Sequence, residues 1–420
     1  MFRWDIMLKK TPNNRFLSAL FLLSITAALL TTTWPAAIAT VGAAPPLQAT
    51  VPHETENLTE TVQPPTPDRP AQDGQSHNGQ GVEPQQDHDE PVSHNAAEVK
   101  LEGQSSKKLQ LFWEKHRDIL PWDYAYVEDI PCPVYAKPLE STEGAKPVRM
   151  LDGGPGTFRW VSLQEPDVIK AGNLEWYCIN PNEYVETRHL KKFYASDFHG
   201  IDLRKRPLDG RYGWIVFDAY TSKEPGKEEF FDGKLLKKHT LVHILETIRI
   251  NGWDWHKLGP DEWVEQRRVA LIKKTPRPAE IPANAKWIDI NLYEQTIAAY
   301  EGDEMVYVSL MSSGLPEYET QQGLFRIWAK VRFAKMSGGE KGVNFYYLED
   351  VPYHMYFFNG YAIHGAYWHD NFGIKQSHGC VNISCMDAKW FFDWTLPKAP
   401  DDKWIVDKKS KKATYVWVHD

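Results

Sequence analysis

Alternating apolar and polar positions mark the last third of the chain and predict a domain built mainly from β-strands. Ile288, Ile290 and Leu292 alternate with polar residues, and a longer alternating run over residues 325–333 predicts one strand that buries a single face. A glycine-containing turn at residues 301–303 predicts a hairpin. The other predicted strands cover residues 305–310, 353–358, 361–364 and 413–418.

One helix is predicted to pack on these strands. Ser384 is followed three positions later by Asp387, a pattern related to the capping box that begins helices. Pro397 would end the helix, because proline cannot continue the backbone hydrogen bonding. The predicted buried face consists of Met386, Trp390, Phe391 and Trp394.

Two upstream regions contain short apolar runs broken by proline, glycine and aspartate. Residues 176–186 align with residues 255–265, with the same placement of a tryptophan, a proline and a closing Val-Glu pair. Two copies about 80 residues apart indicate a duplicated module, each copy being a strand, a turn and a strand. We therefore expect two small β modules, at residues 106–204 and 205–280, before a third domain at residues 281–420.

The beginning of the chain has a different composition. Residues 1–44 hold basic residues, then an apolar run and small residues, which predicts a signal peptide or, if it stays uncleaved, an N-terminal anchor. Residues 45–105 are rich in proline, glutamine and acidic residues, so they cannot bury enough apolar surface to offset their ordering entropy. We predict a disordered acidic linker there, in an exported protein of the cell envelope, periplasmic or facing the wall outside the cell.

Charge and cysteine content narrow the function further. The chain has 420 residues and a net charge of −8, and nothing in it predicts the basic face that nucleic-acid binding needs. Cys132 and Cys178 would either form a disulfide in an oxidising compartment or remain two separately buried thiols. Cys385 is expected in the core under the helix, with a reversible disulfide to its neighbouring thiol as the alternative.

The chemistry concentrates in residues 364–382. Cys380 lies there with three imidazoles, those of His364, His369 and His378. The thiolate is the reactive form of cysteine, and a neighbouring imidazole can take the thiol proton. Gly379 precedes the sulfur and allows close approach of the backbone, and a short strand is predicted over residues 380–382.

This stretch resembles the signature of the L,D-transpeptidases, the YkuD-type catalytic domain. That signature is a histidine, a spacer, then Ser/Thr-His-Gly-Cys, a hydrophobic residue and Asn or Arg. The matching residues are His364, Ser377, His378, Gly379, Cys380, Val381 and Asn382. The resemblance extends from about residue 285 to 420 and implies a β-sandwich-like domain with one packed helix in a mostly β protein. The two upstream modules resemble bacterial Src-homology-3-like barrels, which would either bind the cell wall or act as a rigid spacer.

The resemblance implies peptidoglycan cross-linking with neither cofactor nor metal. The thiolate of Cys380 would attack the carbonyl before the terminal D-Ala of a tetrapeptide stem, forming a thioester. His364 would be the general base, with its ring steered by the carbonyl of Gly365. His378 would shape the site, and backbone N–H groups around Gly379 would stabilise the developing anion. Supporting hydrogen bonds are expected from Ser377 and Asn382.

Three aromatic residues are candidates for the walls of the substrate cleft, with core packing as the alternative: Tyr356, Tyr367 and Trp368. His369 is expected to be a solvated loop residue. The expected partners are the stem peptides and the cell wall. Three alternative functions stay open: an L,D-carboxypeptidase that passes the same thioester to water, a zinc site built from the histidines and the thiol, and a non-catalytic wall-binding protein.

Overall fold

The computed structural model describes residues 107–154, 157–227, 233–400 and 403–420. Within these residues the chain forms 27 β-strands, two α-helices and three short 3-10 helices, so the prediction of a mostly β protein is confirmed. The predicted signal peptide and linker lie outside the described residues. In the part of the chain that the structure describes, no helix is long and apolar enough to cross a membrane.

The element bounds are as follows. The first half contains β1 (Asp123–Val127), β2 (Cys132–Val134), β3 (Arg149–Leu151), β4 (Phe158–Leu163), β5 (Ile169–Ala171), β6 (Leu174–Asn180), β7 (Glu183–Glu186), β8 (Leu190–Phe193), β9 (Ile201–Asp202), β10 (Arg211–Ile215), β11 (Ala219–Tyr220), β12 (Leu235–Leu236), β13 (Leu241–Ile244), β14 (Glu246–Ile250), β15 (Trp253–Gly259), β16 (Glu262–Glu265) and β17 (Val269–Leu271). The second half contains β18 (Lys286–Asn291), β19 (Thr296–Glu301), β20 (Glu304–Leu310), β21 (Gly323–Arg326), β22 (Ala329–Gly338), β23 (Tyr346–Phe358), β24 (Tyr361–Gly365), β25 (Val381–Ile383), β26 (Ile405–Val406) and β27 (Tyr415–His419). Helix α1 covers residues 107–115 and helix α2 covers Cys385–Trp394, and the 3-10 helices are Thr187–His189, Gln266–Arg268 and Pro316–Tyr318.

Two large sheets enclose the main core. One has the strand order β25-β24-β23-β4-β1-β8, with β22 paired to β23 and β26 paired to β22, and the other has the order β21-β27-β18-β19-β20-β9. Side chains from both sheets and from α2 meet in one apolar cluster, which includes Ile288, Ile297, Met355, Ile363 and Phe391. Burial of these large apolar side chains is the main stabilising contribution to this sandwich.

The first large sheet joins the first upstream module to the third domain. Strand β4 of the module pairs in parallel with β23, with Phe158 opposite Tyr346 and Trp160 opposite Leu348. Strand β9, at the end of the module, pairs with β20 on the other sheet. The module is therefore hydrogen-bonded into both large sheets, the first of which carries the predicted catalytic residues.

The aligned segments of the two modules have the same backbone geometry. Trp176 pairs with Glu186 in β6 and β7, Trp255 pairs with Glu265 in β15 and β16, and both ladders shift register near the turn. Each module also has its own small apolar core. The repeat read from sequence thus corresponds to one repeated strand pairing, while the assignment to Src-homology-3-like barrels stays a prediction.

Several local predictions can be compared directly with the structure. The hairpin turn is confirmed, with Gly302 at a φ of 63° between β19 and β20. The helix start is confirmed, because the Ser384 side chain accepts a hydrogen bond from the Asp387 amide at 3.1 Å. The single strand predicted over residues 325–333 is wrong: it divides into β21 and β22, which pair in different sheets.

The buried face of α2 also differs in part from the prediction. Phe391 and Trp394 are buried as expected, whereas Met386 and Trp390 are only half-buried. Cys385 and Asp387 take the inner positions instead, and Cys385 is the core residue that the sequence suggested. Asp387 can be buried because Gly200 N–H, Tyr307 OH and Ser309 OH all donate hydrogen bonds to its carboxylate.

Candidate active site

Cys380 lies at the end of the loop that joins β24 to β25. It precedes β25 by one residue, so the short strand predicted over residues 380–382 begins one position later than expected. Strand β25 runs parallel to β24, with Ile363 opposite Val381 and His364 opposite Asn382. This pairing brings the side chains of Cys380 and His364 to the same cavity of about 400 Å³.

His364 is fully buried, and its hydrogen bonding defines which ring nitrogen is basic. Nδ1 lies 3.1 Å from the carbonyl oxygen of Gly365, the atom that sequence reasoning assigned to steering the ring. A carbonyl only accepts, so Nδ1 carries the proton and Nε2 keeps its lone pair. Nε2 is buried and has no hydrogen-bond partner among the described residues. It is therefore the atom that can take a proton.

Burial keeps both members of the pair neutral before substrate binds. It lowers the pKa of His364 to about 4, with the Gly365 carbonyl opposing the shift. Burial also raises the pKa of the Cys380 thiol to about 11, with a hydrogen bond from the Ala362 backbone opposing it. Both shifts follow from removing charged forms from water. Both shifts therefore favour a neutral thiol and a neutral imidazole in the resting site over a thiolate and an imidazolium.

The Gly379 backbone has a different role from the one predicted. Its N–H donates to Ser377 Oγ at 3.0 Å, so it is occupied and is not an oxyanion donor in this conformation. Gly379 has a φ of 111°, and a Cβ at this position would lie 1.8 Å from Cε1 of Tyr361. The tyrosine ring and the backbone conformation therefore both require glycine at this position.

A segment that sequence reasoning did not select holds the cysteine loop from the opposite side. Thr320 donates through its hydroxyl to the carbonyl of Gly379 at 2.9 Å. The amide of Ser377 donates to the carbonyl of Ser313 at 3.0 Å, and Ser312 and Asn382 exchange backbone hydrogen bonds. These residues lie 60 to 68 positions before the cysteine in sequence, so no local pattern connects them with it.

The prediction that His369 is a solvated loop residue is wrong. Its ring is buried, and Nε2 lies 3.0 Å from the Asn382 side-chain amide. The next residue, Asp370, is held by Lys238 of the second module, whose Nζ lies 2.6 Å from the Asp370 carbonyl oxygen and 2.8 Å from its carboxylate. The loop between base and nucleophile is therefore anchored to β25 and to the second module.

The structure separates the three aromatic candidates for the cleft. Trp368 lines the cavity. Tyr367 does not: it is fully buried, and its hydroxyl donates to the carbonyl of Glu349 at 2.7 Å. Tyr356 does not line it either, because its ring is buried between Trp328 and Trp404. For these two tyrosines the core-packing alternative describes the structure.

His378 is placed at the rim of the cavity. Its ring lies 4.5 Å from the ring of Tyr318 and 5.4 Å from that of Tyr346, between centroids. The cavity is lined by apolar and uncharged polar side chains apart from its histidines and the thiol. The full set is Phe158, Met336, Val343, Asn344, Tyr346, Leu348, His364, Trp368, Gln376, Ser377, His378, Cys380 and Asn382.

Two further features bear on the alternative chemistries. Over the described ranges, no group of three His, Cys, Asp or Glu side chains is arranged to hold a metal ion. Cys132, Cys178 and Cys385 are all buried free thiols. Neither the Cys132–Cys178 disulfide nor the Cys380–Cys385 disulfide is therefore present in this structure. Cys380 is the most accessible of the four thiols.

Comparison with known proteins supports the catalytic domain. Residues 285–409 match the model of the YkuD family, described as the L,D-transpeptidase catalytic domain. A Bacillus subtilis (strain 168) protein named "Putative L,D-transpeptidase YciB" is 26% identical, over 26% of this chain and 59% of that protein. The chain thus spans less than two thirds of that relative's length. The predicted L,D-transpeptidase catalytic domain is confirmed for this part of the chain.

Two solved structures were also found to be similar to part of the chain. A mutant L,D-transpeptidase from Enterococcus faecium is 23% identical, with a TM-score of 0.26 over 32% of this chain and 50% of that chain. L,D-transpeptidase 3 from Mycobacterium tuberculosis is 18% identical, with a TM-score of 0.27 over 46% of this chain and 77% of that chain.

Proposed function

We propose that this protein is an exported peptidoglycan L,D-transpeptidase that works through a thioester on Cys380. The observation that carries the proposal is the shared cavity of Cys380 and His364, in which the Nε2 atom of His364 lacks a partner among the described residues. A thiol and an imidazole nitrogen with an unpartnered lone pair, in one cavity, are the two groups that cysteine-based acyl transfer needs.

The first half-reaction forms the thioester. The Cys380 sulfur attacks the carbonyl carbon between the third residue and the terminal D-Ala of a tetrapeptide stem, and its proton passes to Nε2 of His364. The imidazolium then gives this proton to the leaving nitrogen, so that D-Ala departs as a free amino acid. The side-chain amine of a second stem attacks the thioester, forms the new amide and returns the proton to sulfur through the same imidazole.

The neutral resting pair fits this sequence of proton transfers. A thiol with a raised pKa loses its proton only as the new carbon–sulfur bond forms, when charge moves from sulfur to the carbonyl oxygen. That oxygen needs hydrogen-bond donors close to the sulfur. Because the Gly379 amide is occupied by Ser377, the amides of His378 and Cys380 are the remaining candidates.

Export and wall location belong to the same proposal. A signal peptide or anchor at residues 1–44 followed by an acidic linker would place the folded part outside the membrane, where peptidoglycan stems are found. The thiols of Cys132 and Cys178 are buried and free, so their burial would limit their oxidation in an oxidising compartment.

The test is an assay with disaccharide-tetrapeptide fragments, read by mass spectrometry. Wild-type protein should release D-Ala and give cross-linked dimers, whereas tripeptides without dimers would identify the carboxypeptidase instead. Cys380→Ala should form neither product while keeping its fold by circular dichroism. Turnover by Cys380→Ala would show that the nucleophile is another residue. Loss of wild-type turnover on adding a strong chelator would support the zinc alternative.

A further inference from the structure

One wall of the candidate active site comes from outside the family-matched region. Phe158 opens strand β4 of the first module, and its side chain lines the cavity that contains Cys380. It remains 37% exposed, although it is a large apolar side chain. The catalytic-domain match begins at residue 285, so this wall is supplied by a separate part of the chain.

The backbone fixes the position of this ring. The Phe158 amide donates to the carbonyl of Phe345 at 2.9 Å, and Phe158 stands opposite Tyr346, another cavity residue, in the parallel pairing of β4 with β23. The ring is also held from behind, with centroids 5.8 Å from Tyr126 and 5.9 Å from Trp160. Phe158 is thus presented by a paired strand and an aromatic support.

The first module also holds the hairpin tip that forms the neighbouring wall. The carbonyl of Gly153 accepts a hydrogen bond from the Gly342 amide at 3.1 Å. Gly342 lies between β22 and β23, next to the cavity residues Val343 and Asn344. The module therefore contributes one cavity residue and positions two others.

A second set of contacts reaches the general base from the same module. The ring of Tyr124 in β1 stacks on Tyr367 at 3.6 Å, and the ring of Trp160 meets Tyr367 edge-on at 5.9 Å. Tyr367 in turn packs against Trp368 at 5.0 Å, and Trp368 lies 5.9 Å from His364. Stacked and edge-to-face ring pairs of this kind stabilise the packing beyond the area that they bury.

We propose that Phe158 is a substrate-contact residue that holds the donor stem peptide in the cleft. This inference rests on the proposed function. The wall formed by Phe158, Met336, Val343 and Leu348 is apolar, so it suits the methylene side chain and methyl groups of a stem rather than its carboxylates. The first module is then part of the active site and not a detached spacer.

The test uses the full chain with Phe158→Ala, Phe158→Leu and a matched control, Met150→Ala. Met150 is also exposed and apolar and lies in the same module, but it does not line the cavity. Truncating an aromatic wall should raise the KM for the tetrapeptide donor about tenfold or more, because one lost apolar contact changes binding by that order. The kcat should stay within about twofold, the pattern for loss of uniform binding.

Two controls separate a substrate contact from a structural role. The rate at which a small disulfide reagent labels Cys380 should not fall in Phe158→Ala, since the hydrogen bonds that hold the cysteine loop do not involve Phe158. Phe158→Leu should give an intermediate KM, and Met150→Ala should match wild type. If the wild type is active and folded Phe158→Ala has an unchanged KM, the inference about Phe158 is wrong and the proposed function still stands. A wild type that forms neither cross-linked dimers nor tripeptides refutes the proposed function and the inference together.

Discussion

The raised pKa of the Cys380 thiol makes a quantitative prediction about its reactivity in the free protein. Burial raises this pKa from an ordinary value near 9.0 to about 11. Two pKa units lower the thiolate fraction at neutral pH about 100-fold, equivalent to about 2.7 kcal/mol. Each remaining thiolate is a better nucleophile by about 6- to 10-fold, given a Brønsted coefficient of about 0.4–0.5 for disulfide exchange. We therefore expect Cys380 to react about tenfold more slowly than an unperturbed thiol.

The assay follows the reaction with a small aromatic disulfide by absorbance over about pH 7 to 10, with the modified residue identified by mass spectrometry. The rate should rise about tenfold for each pH unit, because the thiolate fraction does so below the pKa. Cys380→Ala supplies the background from the three buried thiols. His364→Gln should change this rate little, because the neutral imidazole does not ionise the thiol at rest, while it should abolish formation of the thioester.

A rate that reaches a plateau below about pH 8 would refute the reasoning, because it would mean that a thiolate already exists at neutral pH. A large loss of disulfide reactivity in His364→Gln would point to the same conclusion, namely a preformed thiolate–imidazolium pair. In that case the attraction between the Cys380 thiolate and the His364 imidazolium would outweigh the effect of burial on the two pKa values.

Gly379→Ala should abolish acyl transfer and lower the melting temperature, because the new Cβ would clash with the Tyr361 ring. The fragment assay measures acyl transfer and calorimetry measures the melting temperature. Full activity of this variant would contradict the prediction. Burial raises the pKa of Glu349 from 4.5 to about 7. Between these two pH values the folded state therefore keeps a proton on Glu349 that the unfolded state has lost. The free energy of unfolding should therefore fall by about 3 kcal/mol as the pH rises through this window. Glu349→Gln should remove this fall in denaturant titrations at either end of the window; an unchanged pH dependence would show that burial of Glu349 is not its cause. Lys238→Ala should lower kcat by loosening the catalytic loop, whereas Lys237→Ala, which breaks an exposed ion pair, should not.

Local features could be predicted from the sequence where a short stretch of chain determines its own geometry. The hairpin at Gly302 and the start of α2 at Ser384 depend on residues within a few positions, and both are confirmed. The long strand predicted over residues 325–333 fails for the opposite reason. Its alternation is real, but Ile327 and Trp328 carry the chain from one sheet to the other, and no local pattern records that change of partner.

By itself, the sequence predicted the chemistry proposed for this protein: a cysteine, a histidine one strand earlier and the glycine before the cysteine resemble the L,D-transpeptidase motif at residues 364–382. The tertiary structure decided everything that depends on burial and on distant neighbours. It made His369 an anchor and Tyr367 a core residue, it occupied the Gly379 amide with Ser377, and it brought Phe158 to the cavity from more than 200 positions upstream of Cys380. The physical reason is that a motif records which groups can react, whereas pKa values and cleft walls are set by desolvation and packing, to which residues from any part of the chain contribute.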